Sequence, residues 1–304
     1  ENLYDTLHDV GFDDREFLPN AERRWNTPRY FHKQSSLAKT ILAAGGLQPV
    51  DLVALCEVEN DSVMHFLCRR TRLARLGYKY LVTHSADRRG IDVALLYQPE
   101  TFALLHSETY RVPYDSLRER PTRDLLHAAG RLPFGDTLDV FVVHFPSRRG
   151  GGAISEPYRL RAAGILRHLA DSIARCRHTP RLLAMGDFND EPHNASVSRV
   201  LAPTFAELTS HATPLPAEGH DDIEGSYYFR GEWSRIDQIL VSPALLSPTM
   251  KFHTTPQSVH LLAFPPLLET LGRGTLSKPF RTYLGPFYHG GISDHLPLCI
   301  DFSY

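Results

Sequence analysis

Short apolar runs recur along the chain, and most are broken at one end by a charged or amide side chain. The segments "DLVALCEVE" (51–59), "DVALLY" (92–97), "DVFVVHFPS" (139–147), "RLLAMGDFN" (181–189), "RIDQILVS" (235–242) and "HLPLCIDF" (295–302) are rich in leucine and β-branched residues. Runs of that length and content predict buried strands. Helical spacing appears between some of them. Residues 34–46 place Leu37, Ile41 and Leu42 on one side and end on Gly45-Gly46, a C-cap signal. Residues 61–77 start at Asp61, a capping residue, and stop at Gly77. Residues 156–176 carry Leu160, Ala163, Leu166, Leu169 and Ile173 as a stripe, with Pro157 near the start. Those apolar faces need a sheet to cover. The pattern predicts an α/β fold of two packed sheets with helices outside. The proline- and glycine-rich stretch 243–291 reads as a long, mostly irregular excursion before the last strand.

Composition narrows the picture. The 304 residues are 42% hydrophobic and 22% charged, as in globular proteins, and the formal net charge is −2. That balance excludes a global basic field, so any recognition of phosphate must be local. No apolar run approaches the ~20 residues of a membrane span. The chain opens at Glu1 with neither initiator Met nor signal peptide. That leaves the compartment open, export with the signal segment removed being one expectation. The cysteines, Cys56, Cys68, Cys176 and Cys299, have no CxxC spacing, which argues against a zinc site.

The candidate chemistry lies where the strands stop. Glu57, His144, Asp187 and Asn189 close predicted strands, while Asp237, Asp294 and His295 lie at the openings of two others. Each alone has a structural reading as a salt-bridge partner, a bonded core histidine or a turn residue. Ionisable groups are costly to bury singly, and their joint appearance at strand edges is explained by convergence on one polar cleft. "GDFND" (186–190) fits two phosphoesterase patterns, a dinuclear GDxxD and a single-metal GDxN. The dinuclear enzymes also need DxH, GNH and GHxH segments, and none occurs here. Asp190 and Glu191 are therefore read as helix-start or loop carboxylates.

The ordered set "CEVE", "VVHFPS", "MGDFND", "RIDQILVS" and "SDHLP" resembles the endonuclease/exonuclease/phosphatase superfamily, which includes DNase I. The segments "RGIDVALLY" and "HFPSRRGG" look like an uncharacterised bacterial branch of it. The resemblance spans nearly the whole chain. It implies a four-layer α/β/β/α sandwich, two mixed sheets packed face to face with outer helices, formed by a single catalytic domain over 1–304 with its first strand truncated. It implies Glu57 as metal ligand with Asp294 beside it, and Mg²⁺ as the ion, with Mn²⁺ or Ca²⁺ as substitutes. Asp187 would orient or deprotonate the attacking water, and Asn189 would donate to a nonbridging oxygen. His295, paired with Asp237, would hold the phosphate or act as the base. His144 would donate to phosphate or to the leaving group. The sequence leaves open whether Asp187 or His295 is the base. An Asn expected on the family's first strand would lie before Glu1.

Position adds substrate-facing candidates. "RRG" occurs at 88–90 and 148–150, so Arg89, Arg148 and Arg149 are candidate phosphate clamps. Arg281 and Tyr283 in "PFRTYLGPFYHGGISDH" could bind or stack on a substrate. The expected activity is metal-dependent hydrolysis of phosphodiesters by a monomeric nuclease, on DNA or RNA. The alternatives are a phosphatase acting on a small phosphorylated molecule or phospholipid head group and, more remotely, an inactive binding module.

Overall fold

A computed structural model describes residues 2–115, 119–148, 150–216, 222–271 and 276–304. Strands β1 (Leu52–Val58), β2 (Lys79–Val82) and β3 (Asp92–Tyr97) form an antiparallel sheet in the order β1-β3-β2. The next strands are β4 (Ala103–Tyr110), β5 (Leu125–Arg131), β6 (Thr137–His144), β7 (Leu182–Asp187), β8 (Ala206–Glu207) and β9 (Thr213–Leu215). Then come β10 (Tyr227–Phe229), β11 (Glu232–Ser234), β12 (Asp237–Val241), β13 (Val259–Leu262) and β14 (Leu298–Ile300). A six-stranded sheet runs β4-β5-β6-β7-β12-β8, and a smaller one runs β14-β13-β9. The helices are α1 (Thr27–Gly45), α2 (Asp61–Arg70) and α3 (Gly152–Cys176).

Strand alternation builds the layers. In β3, Val93, Leu95 and Tyr97 face one apolar cluster while Ala94 and Leu96 face another. In β6, Val140 and Val142 join that first cluster, and Phe141 and Val143 point the opposite way. The shared cluster lies between the sheets. The others lie under α1 and α2 on one side and under α3 on the other. This is the four-layer α/β/β/α sandwich that the resemblance implied.

Strand directions then place the site. β6 and β7 are parallel, joined by the α3 crossover, so both end at the same edge. β12 runs antiparallel to β7, so its first residue stands beside the last residue of β7. In open α/β sheets the crevice outside the carboxyl ends of parallel strands is where ligands bind.

Several elements depart from the sequence reading. α1 begins about two turns earlier, at a cap where the Asn26 side chain accepts from Arg29 N at 3.2 Å, with Pro28 in its first turn. Asn60, not Asp61, caps α2, accepting from Val63 N at 3.1 Å. The helix ends at Arg70, and a separate 3₁₀ turn, Arg72–Leu76, follows. β4 and β5 were missed because the first is a mostly exposed, polar edge strand and the second is diluted by Ala128, Ala129 and Gly130. The 243–291 stretch is less irregular than expected. It contains β13 and a hairpin of Leu268–Leu271 with Leu276–Pro279. Among the described residues no helix is long and apolar enough to cross a membrane, and all four cysteines are free thiols.

Asp190, read as a loop carboxylate, is a buried structural anchor. Its Oδ1 lies 2.7 Å from Arg159 Nε on α3, it accepts from Ser196 Oγ at 2.7 Å, and its carbonyl accepts from Gln238 Nε2 of β12 at 2.9 Å. The loop after β7 is thereby tied to a helix and to the neighbouring strand. Both ion-pair partners are almost fully buried. Asp190→Ala should destabilise the fold by about 3–5 kcal/mol, because it strands a buried guanidinium. Denaturant unfolding with a lowered midpoint and an unchanged slope is the expected result.

Candidate active site

The register brings three polar residues into one row. His144 ends β6 directly opposite Asp187 at the end of β7, and Asp187 stands opposite Asp237 at the start of β12. His295 joins the row from the segment before β14, its Nδ1 lying 2.7 Å from Asp237 Oδ2. A bridge between Tyr227 and His295 holds that segment, as do hydrogen bonds from Leu296 N to Ser226 O at 2.7 Å and from His295 N to Ser293 Oγ at 3.1 Å. The Ser226 hydroxyl also donates to Asp237 Oδ2.

Local backbone explains why these residues occupy these places. Gly186 has φ +138°, and a Cβ there would sit 2.0 Å from Val143 O, so only glycine can precede Asp187. Asn189 (φ +49°) and Glu57 (φ +58°) are non-glycine residues held in the left-handed region. Glu57 also stands at a register shift between Cys56 and Val58, a bulge that re-aims its side chain.

Asn189 clasps Asp187. Its backbone N donates to Asp187 Oδ1 at 2.8 Å, and its Nδ2 donates to Asp187 Oδ2 and to Phe145 O, each at 3.0 Å. Both amide hydrogens are thus engaged, so the expected donation from Asn189 to a phosphoryl oxygen is corrected. In this geometry it orients the carboxylate. His144 departs from its expected role as well. It is buried, and its Nε2 faces Asp187 Oδ2 at 3.4 Å. In this geometry the imidazole is turned to the Asp187 carboxylate.

Burial and neighbouring charge set the protonation states. Burial, helped by the nearby Arg123 guanidinium, holds His144 well below the usual histidine range, so it is neutral. Asp187 is pushed up to about 7, first by burial and then by the Asp237 charge beside it. Burial alone would lower His295, but Asp237, through its charge and hydrogen bond, outweighs it and raises the imidazole to about 10. The row therefore holds a neutral His144, an Asp187 titrating near neutrality, and a cationic His295.

Glu57, whose charge acts on His144, is held by partners of its own. Its Oε1 accepts from Arg89 Nη1 at 3.2 Å and its Oε2 from the backbone N of Asn2 at 2.8 Å. Arg89 also approaches Asp87 Oδ1 at 3.5 Å, and Asp87 in turn pairs with the buried Arg123 at 3.1 Å. Arg123 donates to Phe145 O, the same carbonyl that anchors Asn189. Arg123, Asp87 and Ser226 escaped the sequence reading, because a lone arginine before a strand and a serine in a loop carry no spacing signal. Asp294 is half-buried beside His295 and acts on it through its charge. The donors available, carboxylates and the Asn189 amide oxygen, are those a hard cation takes. Among the described residues, no group of three or more His, Cys, Asp or Glu converges on one metal position.

The substrate-facing candidates divide. Arg281 donates to Tyr228 O and lies 5.4 Å from the Tyr227 ring centroid, and Tyr227 lies 4.8 Å from the His295 ring, so Arg281 reaches the rim of the row. Arg148 is exposed and lies against Gly152 at the start of α3. Arg149 lies outside the described residues. Tyr283 is a correction. It is 4% exposed, packs beside Phe17 and Trp25, and its hydroxyl donates to Arg23 O at 3.1 Å, so it is core rather than a stacking surface.

Comparison with known proteins agrees with this architecture. Solved structures share the fold at low identity. One is an endonuclease/exonuclease/phosphatase from Bacteroides vulgatus, at 15% identity and TM-score 0.62, with 97% of this chain and 95% of that one covered. A mannosyl-6-phosphatase from Bacteroides thetaiotaomicron gives 14%, 0.57, 90% and 91%. TDP2 of D. rerio, complexed with a single-strand DNA product, gives 16%, 0.57, 90% and 92%. No curated protein matches the chain by sequence. The family model described as "Endonuclease/Exonuclease/phosphatase family" matches residues 1–303. Members of that superfamily are hydrolytic phosphoesterases that generally use divalent metal ions. With its polar row at the strand ends and a match along almost its whole length, this chain belongs to the endonuclease/exonuclease/phosphatase family.

Proposed function

We propose that the protein hydrolyses phosphodiester bonds in a metal-dependent reaction, as a nuclease. The observation carrying this reading is the juxtaposition of Asp187, titrating near neutrality, with a cationic His295 one strand away. A water held by Asp187 gives up its proton to the carboxylate as it attacks phosphorus. Asn189 and neutral His144 keep the Asp187 oxygens in place. His295 uses Nδ1 on Asp237, which leaves Nε2 to donate to a phosphoryl oxygen and to offset the charge that builds there. Arg281 and Tyr227 lie at the rim on the His295 side, where they would meet the part of the substrate flanking the phosphate. Glu57 and Asp294 would hold a divalent ion, Mg²⁺ first by their oxygen chemistry, and such an ion offsets phosphoryl charge when bound. Arg89, released from Glu57 when an ion is bound, would be available to the phosphate.

A phosphatase acting on a small phosphorylated molecule is the competing reading. The solved mannosyl-6-phosphatase shares the fold, and a net charge of −2 favours small or short substrates over long duplexes.

Hydrolysis of bis-p-nitrophenyl phosphate, p-nitrophenyl phosphate and plasmid DNA with Mg²⁺ separates these readings. Diester cleavage without monoester cleavage, lost with EDTA, is expected. Preference for the monoester would establish the phosphatase instead. His295→Ala should lower diester turnover by about 10²–10⁴-fold.

The pH profile follows from the same charges. kcat/KM should rise as pH increases through about 7, where Asp187 loses its proton. It should fall above about 10, where His295 loses its own. In Asp237→Asn the like charge beside Asp187 and the counter-ion of His295 both disappear. Both limbs should therefore move to lower pH, the alkaline one toward the ordinary histidine value of about 6.5. An unmoved alkaline limb would remove His295 from the mechanism.

A further inference from the structure

A second cleft opens between α1 and the end of α2, and none of its lining residues belongs to the polar row. Its volume is about 810 Å³, and Phe31, Phe66, Arg70, Arg72 and Arg75 line it. Clefts of about 300–1,000 Å³ are the size that takes small organic ligands. The three arginines are exposed and lie within six consecutive residues. They reach this proximity because α2 stops at Arg70 and the 3₁₀ turn Arg72–Leu76 follows immediately, capped by Thr71, whose hydroxyl accepts from Leu73 N. Among the described residues none of the three forms an ion pair. Elsewhere Arg23, Arg89, Arg123, Arg159, Arg161 and Arg177 each have a carboxylate partner. Three like charges set together without a counter-ion are a local positive site in a chain of net charge −2.

The other wall is aromatic. Phe31 is 47% exposed, a large apolar ring left facing water. It is held in place, since it stacks on Phe66 with centroids 5.0 Å apart and planes 9° apart, and Tyr30 packs against both. A fixed ring with an open face beside unpaired guanidinium groups is complementary to a planar base joined to phosphate. The base stacks on the ring, and the phosphate oxygens accept from the guanidinium forks. An adjoining smaller cavity also contains Phe66 and Arg70 but is bordered by Asp5 and Asp61. Its carboxylates repel phosphate, so the anionic end of a ligand is directed toward Arg72 and Arg75.

We propose that this cleft binds a nucleotide moiety, its base on Phe31 and its phosphates on Arg70, Arg72 and Arg75, outside the catalytic row. Both a free nucleotide and a single-stranded segment carry this chemistry, and the experiment distinguishes them.

Calorimetry in EDTA with α,β-methylene-ADP, inorganic pyrophosphate and a short single-stranded oligonucleotide tests it. The nucleotide analogue should bind the wild type and His295→Ala equally. Binding should weaken at least about tenfold in Phe31→Ala and in Arg72→Ala/Arg75→Ala. These residues are exposed, so unfolding temperatures and hydrolysis of bis-p-nitrophenyl phosphate should stay as in the wild type. An oligonucleotide bound more tightly than the analogue identifies nucleic acid as the source, and equal affinity identifies the free nucleotide. The proposal is overturned if the analogue does not bind or if the cleft variants leave its affinity unchanged. Pyrophosphate binding as tightly as the analogue would also overturn it, since the base would then contribute nothing.

Discussion

The buried carboxylate of Asp187 is the charge around which the rest of the site is arranged. It lies at the end of β7 with His144 on one side and Asp237 on the other, where desolvation works against its ionisation. Each surrounding feature answers that cost. Gly186 lets the strand approach Val143 closely enough to put the carboxylate in the row. Asn189 accepts left-handed backbone to place three donor contacts around it and the neighbouring Phe145 carbonyl. His295 supplies a compensating cation, but only because Asp237 sustains its proton. Burial of Asp187 is thus both the main expense of the site and the reason its proton can be exchanged near neutral pH.

The layers beneath serve this arrangement. Parallel β6 and β7 bring two polar ends to one edge, and the α3 crossover that makes them parallel also carries Arg159, which fixes the loop after Asp187 through Asp190. The link from Arg123 through Asp87 to Arg89 and Glu57 is a chain of alternating charges that runs from beneath the Phe145 carbonyl to Glu57. The Phe145 carbonyl is shared by Arg123 and Asn189, so the positions of the two halves are not independent.

Much of this was legible in the chain itself, for a physical reason. A polar residue that ends an apolar strand must go somewhere that satisfies it, and Glu57, His144, Asp187, Asp237 and His295 all announced themselves in that way. What the pattern could not convey was direction. Asn189 is beside Asp187 as expected, yet its amide hydrogens turn inward, a matter of one rotamer. Tyr283 shares its neighbourhood in sequence with Arg281, but Arg281 precedes the short strand Tyr283–Leu284 and reaches the rim, while Tyr283 packs beside Trp25. Arg123 and Ser226 were invisible because their importance comes from partners 22 and 11 residues away, not from any local motif. The early start of α1 was a different kind of omission, a legible Asn26-Thr27-Pro28 signal ahead of a first turn with weak apolar periodicity.

In the proposed reaction one row of strand-end residues handles both the water and the phosphate. A crystal structure of the protein with Mn²⁺ and a nonhydrolysable phosphorothioate diester tests it most directly. A phosphoryl oxygen within hydrogen-bond distance of His295 Nε2, a water on Asp187, and anomalous density at Glu57 are expected. A phosphoryl group bound away from His295, or a metal seated on Asp187 and Asp190, would contradict it.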